Sequence, residues 1–320
     1  YSSQHYTTVL EGLEIFQDDT LLYEPGTRYS YSSYGWNLIS AVVEGASGEV
    51  FLQYMQDNVF EPLGLTHIVA DHVDSIIPHR TRFYARTRAG TVLNADYVDS
   101  SYKWAGGGFL SNTADLVRFG MAHLTDDLLR PETVALLWTS QRTNEGEETG
   151  YGIGWYVGSD YEGRRIISHG GSSIGGRAHL LIFPDDGVVV AMLANSSAPV
   201  TSAATWAIAE PFLEPRAAEA ESAADSPNLA NLYECEVELQ DRTVNTTLRL
   251  LGSPAAYRGE IVAGEQVSPI VHATSRGNDI ELVVLQGGFW VGNVRLIVKD
   301  DGATGRINSS AMRCSIPSPR

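Results

Sequence analysis

Short apolar segments in the middle of the chain constrain its fold more than any other feature. Two four-residue apolar runs, residues 180–183 and 188–191, flank the turn sequence Pro184-Asp185-Asp186-Gly187. Each run has the length of a buried strand, so the pattern predicts a β-hairpin. Residues 164–168, with Ile166 and Ile167, predict a preceding strand of the same sheet.

A polar interruption, His169-Gly170-Gly171-Ser172-Ser173, follows that strand. A histidine that ends a core strand beside two glycines is well placed to face a cleft, and glycines let a ligand approach the backbone closely. His169 is therefore a candidate for orienting a substrate carboxylate or for proton transfer. The N–H of Ser172 is a candidate for stabilising an oxyanion.

The surrounding pattern predicts an α/β (α+β) fold, in which helices flank the antiparallel sheet. One helix contains the apolar residues at 38–43 and ends near Gly45 or Gly48. The other predicted helices are residues 8–17, 50–60, 113–124 (capped by Ser111 or Thr113), 131–139 and 200–213. Residues 152–157 predict a strand, and residues 80–98 predict a hairpin.

The predicted domains are a hydrolase-like domain at residues 1–213, a linker at 214–228 and a small domain at 229–320. The linker is rich in Ala, Glu, Ser and Pro. The small domain is predicted to be an antiparallel β barrel or sandwich with strands at 232–239, 244–251, 257–262, 280–285 and 289–298. Its two cysteines, Cys235 and Cys314, lie near its ends. They predict either a disulfide, which implies an oxidising compartment, or two buried thiols.

The charge of the chain excludes some partners. The net charge is −17, and Lys103 and Lys299 are the only lysines, so the sequence cannot assemble a basic face for nucleic acid. There is no run of 18 apolar residues, so no membrane span is predicted.

Tyr31, at the start of the first long helix, is a candidate general base if a cation lowers its pKa, and otherwise a packed aromatic side chain. Its surroundings carry several motifs in order. These are Pro25-Gly26-x-x-Tyr29-x-Tyr31-Ser32-Ser33-x-Gly35-Trp36, then Glu61-Pro62-Leu63-Gly64-Leu65, then Gly106-Gly107-Gly108-Phe109-Leu110-Ser111, then His169-x-Gly171 before a β-hairpin.

This order resembles the serine β-lactamase and penicillin-binding-protein superfamily, within it the class C β-lactamase-like hydrolases, and most closely the LACTB-type serine proteases. The segment from Tyr97 to Ser111, with Tyr102-Lys103-Trp104-Ala105, carries the closer likeness. The resemblance covers about residues 1–213. It implies a β-lactamase-like sheet flanked by helices and acyl transfer to water through an acyl-enzyme.

The resemblance also implies residue roles. Tyr31 would be the base of the Tyr-x-Asn element, where Ser33 replaces the usual Asn and offers no amide donor. His169-Gly170-Gly171 would stand at the Lys-Thr-Gly or His-x-Gly element. Ser33, Gly170 and Gly171 would contact substrate, and the N–H of Ser172 would form half of the oxyanion hole.

One element of the family is absent. The nucleophile belongs to a Ser-x-x-Lys motif well upstream of the tyrosine, yet no lysine precedes Tyr31. Ser100-x-x-Lys103 matches by letter but lies after the tyrosine element, in a segment without helical period, so we interpret it as coincidence. The nucleophile is expected on an N-terminal segment outside this sequence, which is either a separate chain or a part removed from this one.

Two alternatives remain at this point. Gly171-Ser172-Ser173-Ile174-Gly175 fits G-x-S-x-G and would make Ser173 the nucleophile of an α/β-hydrolase esterase, although such an elbow needs a helix after it. The other alternative is a binding module, a pseudo-enzyme without a nucleophile. A metal site from His67, Asp71, His72 and His79 lacks standard zinc spacing.

The sequence thus predicts a serine hydrolase for an ester, amide, small peptide or β-lactam, with no cofactor and no metal. The expected partners are a small-molecule or peptide substrate and the missing N-terminal segment; a homo-oligomer is also considered. The expected location is periplasmic or secreted.

Overall fold

The computed structural model describes residues 3–87, 90–159, 164–197, 201–214, 228–238, 242–252, 257–264, 266–286, 290–307 and 310–317. The chain divides into two compact units. The first unit comprises Tyr1–Gly158 and Arg165–Ala198, and the second comprises Ser159–Arg164 and Pro199–Arg320. Apart from its two end residues, the linker predicted at 214–228 lies outside the described residues.

The helices of the first unit are short, with one exception. They are α1 (Val9–Leu13), α2 (Ser33–Ser47), α3 (Phe51–Met55), α4 (Trp104–Gly107), α5 (Thr113–Met121) and α6 (Pro131–Leu137). α3 continues as a π-helical turn at Gln56–Phe60, and a 3₁₀ turn at Ser101–Lys103 precedes α4. No helix of the described residues is both long enough and apolar enough to cross a membrane.

The strands of the first unit form one four-stranded sheet and two small pairs. They are β1 (Val69–Ala70), β2 (Tyr84–Arg86), β3 (Val92–Asn94), β4 (Phe109–Leu110), β5 (Tyr156–Ser159), β6 (Arg165–Ser173), β7 (Gly176–Phe183) and β8 (Val188–Ala194). The main sheet has the order β5-β6-β7-β8, β1 pairs with β4, and β2 pairs with β3. Two hairpins make β6, β7 and β8 antiparallel neighbours, as the apolar runs predict.

One face of this sheet forms the core of the first unit. Ile167 and Ile182 are fully buried there and pack with Trp138 and Trp155. α5 lies against β7 and β8. The helix can approach this closely because it carries Gly120, where a Cβ would lie 2.6 Å from Val189 Cγ1. The mixed helix and sheet architecture is the one predicted.

α2 has an inverted distribution of polar and apolar residues. Ser32 caps its first turn by accepting from the Gly35 N–H, and Gly48 ends it with φ = 76°. Asn37 and Ser40 are buried inside the unit, whereas the larger apolar residues on the other side are exposed. These exposed residues are Leu38, Ile39 and Val42. A helix stabilised mainly by burial of its apolar face would show the opposite arrangement.

Several predicted boundaries are wrong. The helix predicted at 8–17 ends at Leu13, and Asn112, rather than Ser111 or Thr113, caps α5 by accepting from the Asp115 N–H. The strand predicted at 152–157 begins only at Tyr156, because the glycines before it take turn conformations. His169 does not end its strand.

β6 instead continues to Ser173, and the two-residue turn Ile174-Gly175 leads directly into β7. Gly175 has φ = 73°, a value that suits glycine at this turn.

The second unit contains α7 (Thr201–Ala209), a 3₁₀ turn at Glu210–Phe212 and a closed eight-stranded barrel. Its strands are β9 (Asn231–Glu238), β10 (Thr243–Leu251), β11 (Arg258–Ala263), β12 (Gln266–Arg276), β13 (Asp279–Gln286), β14 (Trp290–Lys299), β15 (Gly302–Ile307) and β16 (Ser310–Ser315). Consecutive strands pair antiparallel, and β16 closes the barrel against β9. Along β9, buried Tyr233, Cys235 and Val237 alternate with exposed glutamates, as an inward and outward alternation requires.

The sequence predicts five strands in this unit, and the structure has eight in its described part. β15 was missed because its two glycines weaken a strand pattern. A Cβ on Gly302 or Gly305 would lie within 2.1 Å of a neighbouring main-chain carbonyl, so close strand approach selects glycine there.

The predicted disulfide is confirmed. Cys235 and Cys314 are directly opposite each other on β9 and β16, and their sulfur atoms are bonded. The bond therefore joins the first and last strands of the barrel across a sequence separation of 79 residues.

We predict that the paired substitutions Cys235→Ala and Cys314→Ala lower the free energy of unfolding of the second unit by about 4 kcal/mol. The reason is that the bond limits the entropy of the unfolded chain over a long loop. Urea unfolding of the full chain followed by circular dichroism measures the change, with reduced wild-type chain as the matched control. The unreduced, unfolded wild-type chain should have no reactive thiol, and a count of two would contradict the prediction.

Candidate active site

Tyr31 lies immediately before the residue that caps α2. Its ring centroid is 6.0 Å from the His169 ring and 6.0 Å from the Tyr151 ring. The residue is 43% exposed. The structure thus brings together two residues, Tyr31 and His169, that are 138 positions apart in sequence.

His169 is held in the interior of β6. It pairs with Leu180 of β7, so its side chain lies on the sheet face that also carries Ile167. Its Nε2 is 3.1 Å from the Tyr151 hydroxyl. A mid-strand position fixes the backbone of His169 more firmly than the predicted strand end would.

Tyr151 is a residue of the site that the sequence analysis did not single out. It belongs to the segment Gly150-Tyr151-Gly152-Ile153-Gly154-Trp155, in which three glycines alternate with large side chains. The segment is attached to the end of α6, where the Ile153 N–H donates to the Leu137 carbonyl at 2.9 Å. A Cβ on Gly152 would overlap that same carbonyl. The alternating glycines are the sequence feature that could have predicted a close contact between this backbone and another segment.

Tyr29, Tyr31, Tyr151 and Tyr156 form an aromatic wall beside His169. Tyr151 is central, with ring centroids 5.4 Å from Tyr29 and 4.9 Å from Tyr156. The Tyr156 ring lies 5.6 Å from the His169 ring. The edge-on contacts of Tyr151 with Tyr31 and Tyr156 are of a kind that aromatic pairs prefer, so the rings support one another.

Burial keeps this group uncharged. Partial burial raises the pKa of Tyr31, and burial raises the pKa values of Tyr151 and Tyr156 strongly. Burial also lowers the pKa of His169, and burial, followed by the nearby imidazole of His169, lowers the pKa of His179 to about 4. The hydroxyls therefore retain their protons and both imidazoles are neutral at pH 7.

This electrostatic state bears directly on the role of Tyr31. A tyrosine acts as a base only when a nearby positive charge lowers its pKa. In the described part of the chain, no lysine or arginine has this effect on Tyr31. The cation that the role requires must come from elsewhere.

The other predicted site residues lie on the same elements. Ser33 is the first residue of α2, and Gly170, Gly171 and Ser172 follow His169 in β6. The Gly170 backbone lies beside His179, since a Cβ there would be 3.4 Å from the His179 ring. Ser172 pairs with Arg177, whose guanidinium donates to the carbonyls of Ser173 and Gly176. The predicted substrate and oxyanion roles of these residues stay predictions.

The Ser100-x-x-Lys103 match lacks the context of a nucleophile motif. Both residues lie around a 3₁₀ turn, and both are buried. Lys103 Nζ donates to the Gly107 carbonyl at 2.8 Å, and burial lowers the pKa of the amine. The coincidence interpretation fits this geometry.

The α/β-hydrolase alternative is wrong. Ser173 ends β6, and a two-residue turn connects it to β7 rather than to a helix. A nucleophile elbow requires a strand, a sharp turn and then a helix. Ser173 is therefore not in that motif.

Three of the four residues considered for a metal, His67, Asp71 and His72, have separate partners. His67 lies beside Asp115, the Asp71 carboxylate accepts from Arg80 Nε at 2.6 Å, and His72 packs on Trp104. Among the residues with described positions, no group of three or more His, Cys, Asp or Glu could hold a metal ion.

The helix-flanked antiparallel sheet is the fold of the serine β-lactamase and penicillin-binding-protein superfamily. The sequence model of the Beta-lactamase family matches residues 4–211, and the chain belongs to that family. The general kind of activity in this family is that of a serine hydrolase.

Individual relatives agree with this assignment. The chain is 31% identical over 255 residues to "Serine beta-lactamase-like protein LACTB, mitochondrial" of Mus musculus, covering 68% of this chain and 46% of the relative. It is 25% identical over 285 residues to the D-aminopeptidase of Gluconobacter oxydans, covering 84% and 52% respectively. The chain thus spans about half the length of the curated relatives it matches.

A solved structure supports the fold. The octameric penicillin-binding protein homologue from Pyrococcus abyssi aligns with a TM-score of 0.56 at 18% identity, over 96% of this chain and 70% of that one. At this identity the likeness concerns the fold alone.

We predict that Gly154→Ala disturbs the aromatic wall. Gly154 has φ = 81°, and a Cβ there would lie 3.1 Å from the Trp36 ring. The unfavourable conformation should lower the free energy of unfolding by about 1–2 kcal/mol, and the contact should shift Trp36, which is hydrogen-bonded to Tyr151. Urea unfolding and tryptophan fluorescence measure both effects. Gly158→Ala, where a Cβ meets nothing within 4 Å, is the matched control, and equal behaviour of the two variants would refute the prediction.

Proposed function

We propose that this chain supplies the tyrosine and histidine half of a serine hydrolase active site. The enzyme would act through an acyl-enzyme on an ester, an amide, a small peptide or a β-lactam, with its nucleophilic serine on a polypeptide segment outside this sequence. The observation that carries the proposal is the convergence of Tyr31, Tyr151 and His169 within 6.1 Å between ring centroids.

Each residue has a specific task in this proposal. Tyr31 takes the proton of the attacking serine and later activates water, while the lysine of a Ser-x-x-Lys motif provides the cation that lowers its pKa. His169 orients the leaving-group side of the substrate. Ser33, Gly170 and Gly171 border the bound substrate.

The Ser172 N–H is assigned to half of the oxyanion hole. The turn at Ile174-Gly175 makes Ser173 and Gly176 a hydrogen-bonded pair, so the next pair, Ser172 and Arg177, is of the other type. The N–H of Ser172 consequently points away from β7. This direction supports the assignment.

The exposed apolar side of α2 supports the existence of a further segment. Leu38, Ile39 and Val42 are 50%, 42% and 60% exposed. Full burial of such side chains contributes about 1.5–3 kcal/mol each. A polypeptide that carried the nucleophile and covered this side of α2 would gain roughly half of that free energy next to Tyr31, because these residues are already about half buried.

The remaining features of the proposal are its partners and location. The substrate is a small molecule or peptide, and the chemistry needs no metal or organic cofactor. The octameric state of the Pyrococcus abyssi homologue supports a homo-oligomer. The disulfide supports an oxidising compartment, periplasmic or secreted.

A binding module without catalytic activity is the second candidate. It is favoured by one observation, the raised pKa of Tyr31 with no cation beside it in the described residues. Denaturing intact-mass spectrometry before and after a fluorophosphonate probe separates the two candidates. A second polypeptide that takes up the probe supports the hydrolase, whereas an unlabelled sample that contains only this 34.8 kDa chain supports the binding module.

We predict that Tyr31→Phe in the complete enzyme lowers turnover at least ~100-fold, the usual effect of removing a general base. Steady-state kinetics on an ester substrate measures the loss. Tyr29→Phe is the matched control, because it removes a hydroxyl from the same wall without touching the proposed base, and it should retain activity. Unchanged turnover in Tyr31→Phe would remove Tyr31 from the mechanism.

A further inference from the structure

The hydroxyl of Tyr151 joins two other polar groups of the site. The indole N–H of Trp36 is hydrogen-bonded to it, and Nε2 of His169 is 3.1 Å away. The three side chains come from α2, from the glycine-rich segment and from β6. Three separate parts of the first unit therefore meet in one hydrogen-bonded chain.

The chemistry of Trp36 fixes which atom donates in the hydrogen bond between Trp36 and Tyr151. An indole nitrogen can only donate, so the oxygen of Tyr151 is the acceptor from Trp36. At 3.1 Å from Nε2 of His169, the Tyr151 hydroxyl can donate its own proton to that nitrogen, provided that the nitrogen is unprotonated. We assign the single ring proton of neutral His169 to Nδ1.

The groups that face His169 reinforce its neutral state. Tyr31, Tyr151 and Tyr156 surround the ring, and His179 lies on the neighbouring strand opposite Gly170, on the other face of the sheet. All are uncharged at pH 7. A main-chain hydrogen bond with Gly170 acts toward a higher pKa, but burial outweighs it. In the described residues, no charged side chain is among the causes that shift the pKa of His169.

We propose that Tyr151 is the positioning residue that holds His169 as a neutral Nδ1–H imidazole, and that the site consequently takes substrates whose leaving group carries no free carboxylate. This inference rests on the proposed function in its second part only. The substrate class is esters, amides and internal peptide bonds.

The selectivity follows from desolvation. A free carboxylate placed against His169 would lose hydration without gaining a positive partner, at a cost that neutral donors offset only in part. An amide or ester in the same place needs only neutral hydrogen bonds. A lysine in the position of His169 would reverse this preference.

Nitrogen NMR of the chain with ¹⁵N-labelled histidine tests the positioning role without any catalysis. His169→Gln identifies the resonances of His169. In the wild-type chain at pH 7, Nδ1 should carry the proton and Nε2 should be unprotonated. Tyr151→Phe keeps the ring but removes the hydroxyl, and it should move the protonated fraction toward Nε2.

The matched control is Tyr156→Phe, which removes a neighbouring hydroxyl and should leave the tautomer unchanged. A wild-type Nε2–H tautomer, or identical spectra for Tyr151→Phe and wild type, would overturn the positioning role. Such a result would leave the fluorophosphonate test of the hydrolase untouched.

Competition between two probes on the complete enzyme tests the substrate class. N-acetylalaninamide and N-acetylalanine differ only in whether the end group is an amide or a carboxylate. The amide should inhibit ester hydrolysis at least ~10-fold more strongly at pH 7, a difference of about 1.4 kcal/mol. His169→Lys should reduce or reverse this ratio. Equal or stronger inhibition by N-acetylalanine in the wild type would overturn the substrate class, even where the enzyme is an active serine hydrolase.

Discussion

The register between β6 and β7 is the constraint on which the candidate site depends. The two-residue turn at Ile174-Gly175 sets it, and the space around Gly175 leaves no room for a side chain, since a Cβ would lie 2.6 Å from the Ala95 Cβ. A slip of one residue would move His169 to the opposite sheet face and away from the aromatic wall. By fixing the turn at the hairpin tip, Gly175 determines which sheet face carries the side chain of His169.

Burial without charge is the second property that shapes this site. Packing Tyr31, Tyr151 and Tyr156 around His169 stabilises the cluster, but it also keeps their hydroxyls protonated and the imidazole neutral. These neutral side chains can donate and accept hydrogen bonds, but none of the tyrosines is ionised and able to act as a base. Basicity at Tyr31 therefore requires a cation beside it, whereas hydrogen bonding by His169 does not.

Local motifs were enough to predict the central hairpin and the Cys235–Cys314 bond, and they singled out Tyr31 and His169, whose catalytic roles stay predictions. They could not predict Tyr151, because its contact with His169 depends on turns at several glycines and on the attachment of its segment to Leu137. The missed strand β15 has a comparable cause. Its neighbouring strands approach so closely that only glycine fits at two positions, and these glycines interrupt the side-chain pattern of a strand. Sequence periodicity indicates which residues are apolar, but it does not indicate which backbone segments come into close contact.

Two features in and just before α2, its exposed apolar side chains and the uncharged surroundings of Tyr31, concern the same part of the molecule. The polar residue Asn37 is buried against the carbonyl of Tyr102, while Leu38 and Val42 face solvent. Tyr31, just before this helix, has a raised pKa and no cation beside it among the described residues. A single additional segment could supply both an apolar surface for α2 and a positive charge for Tyr31. The two features therefore support the same proposed segment on independent grounds, one through hydrophobic burial and the other through electrostatics.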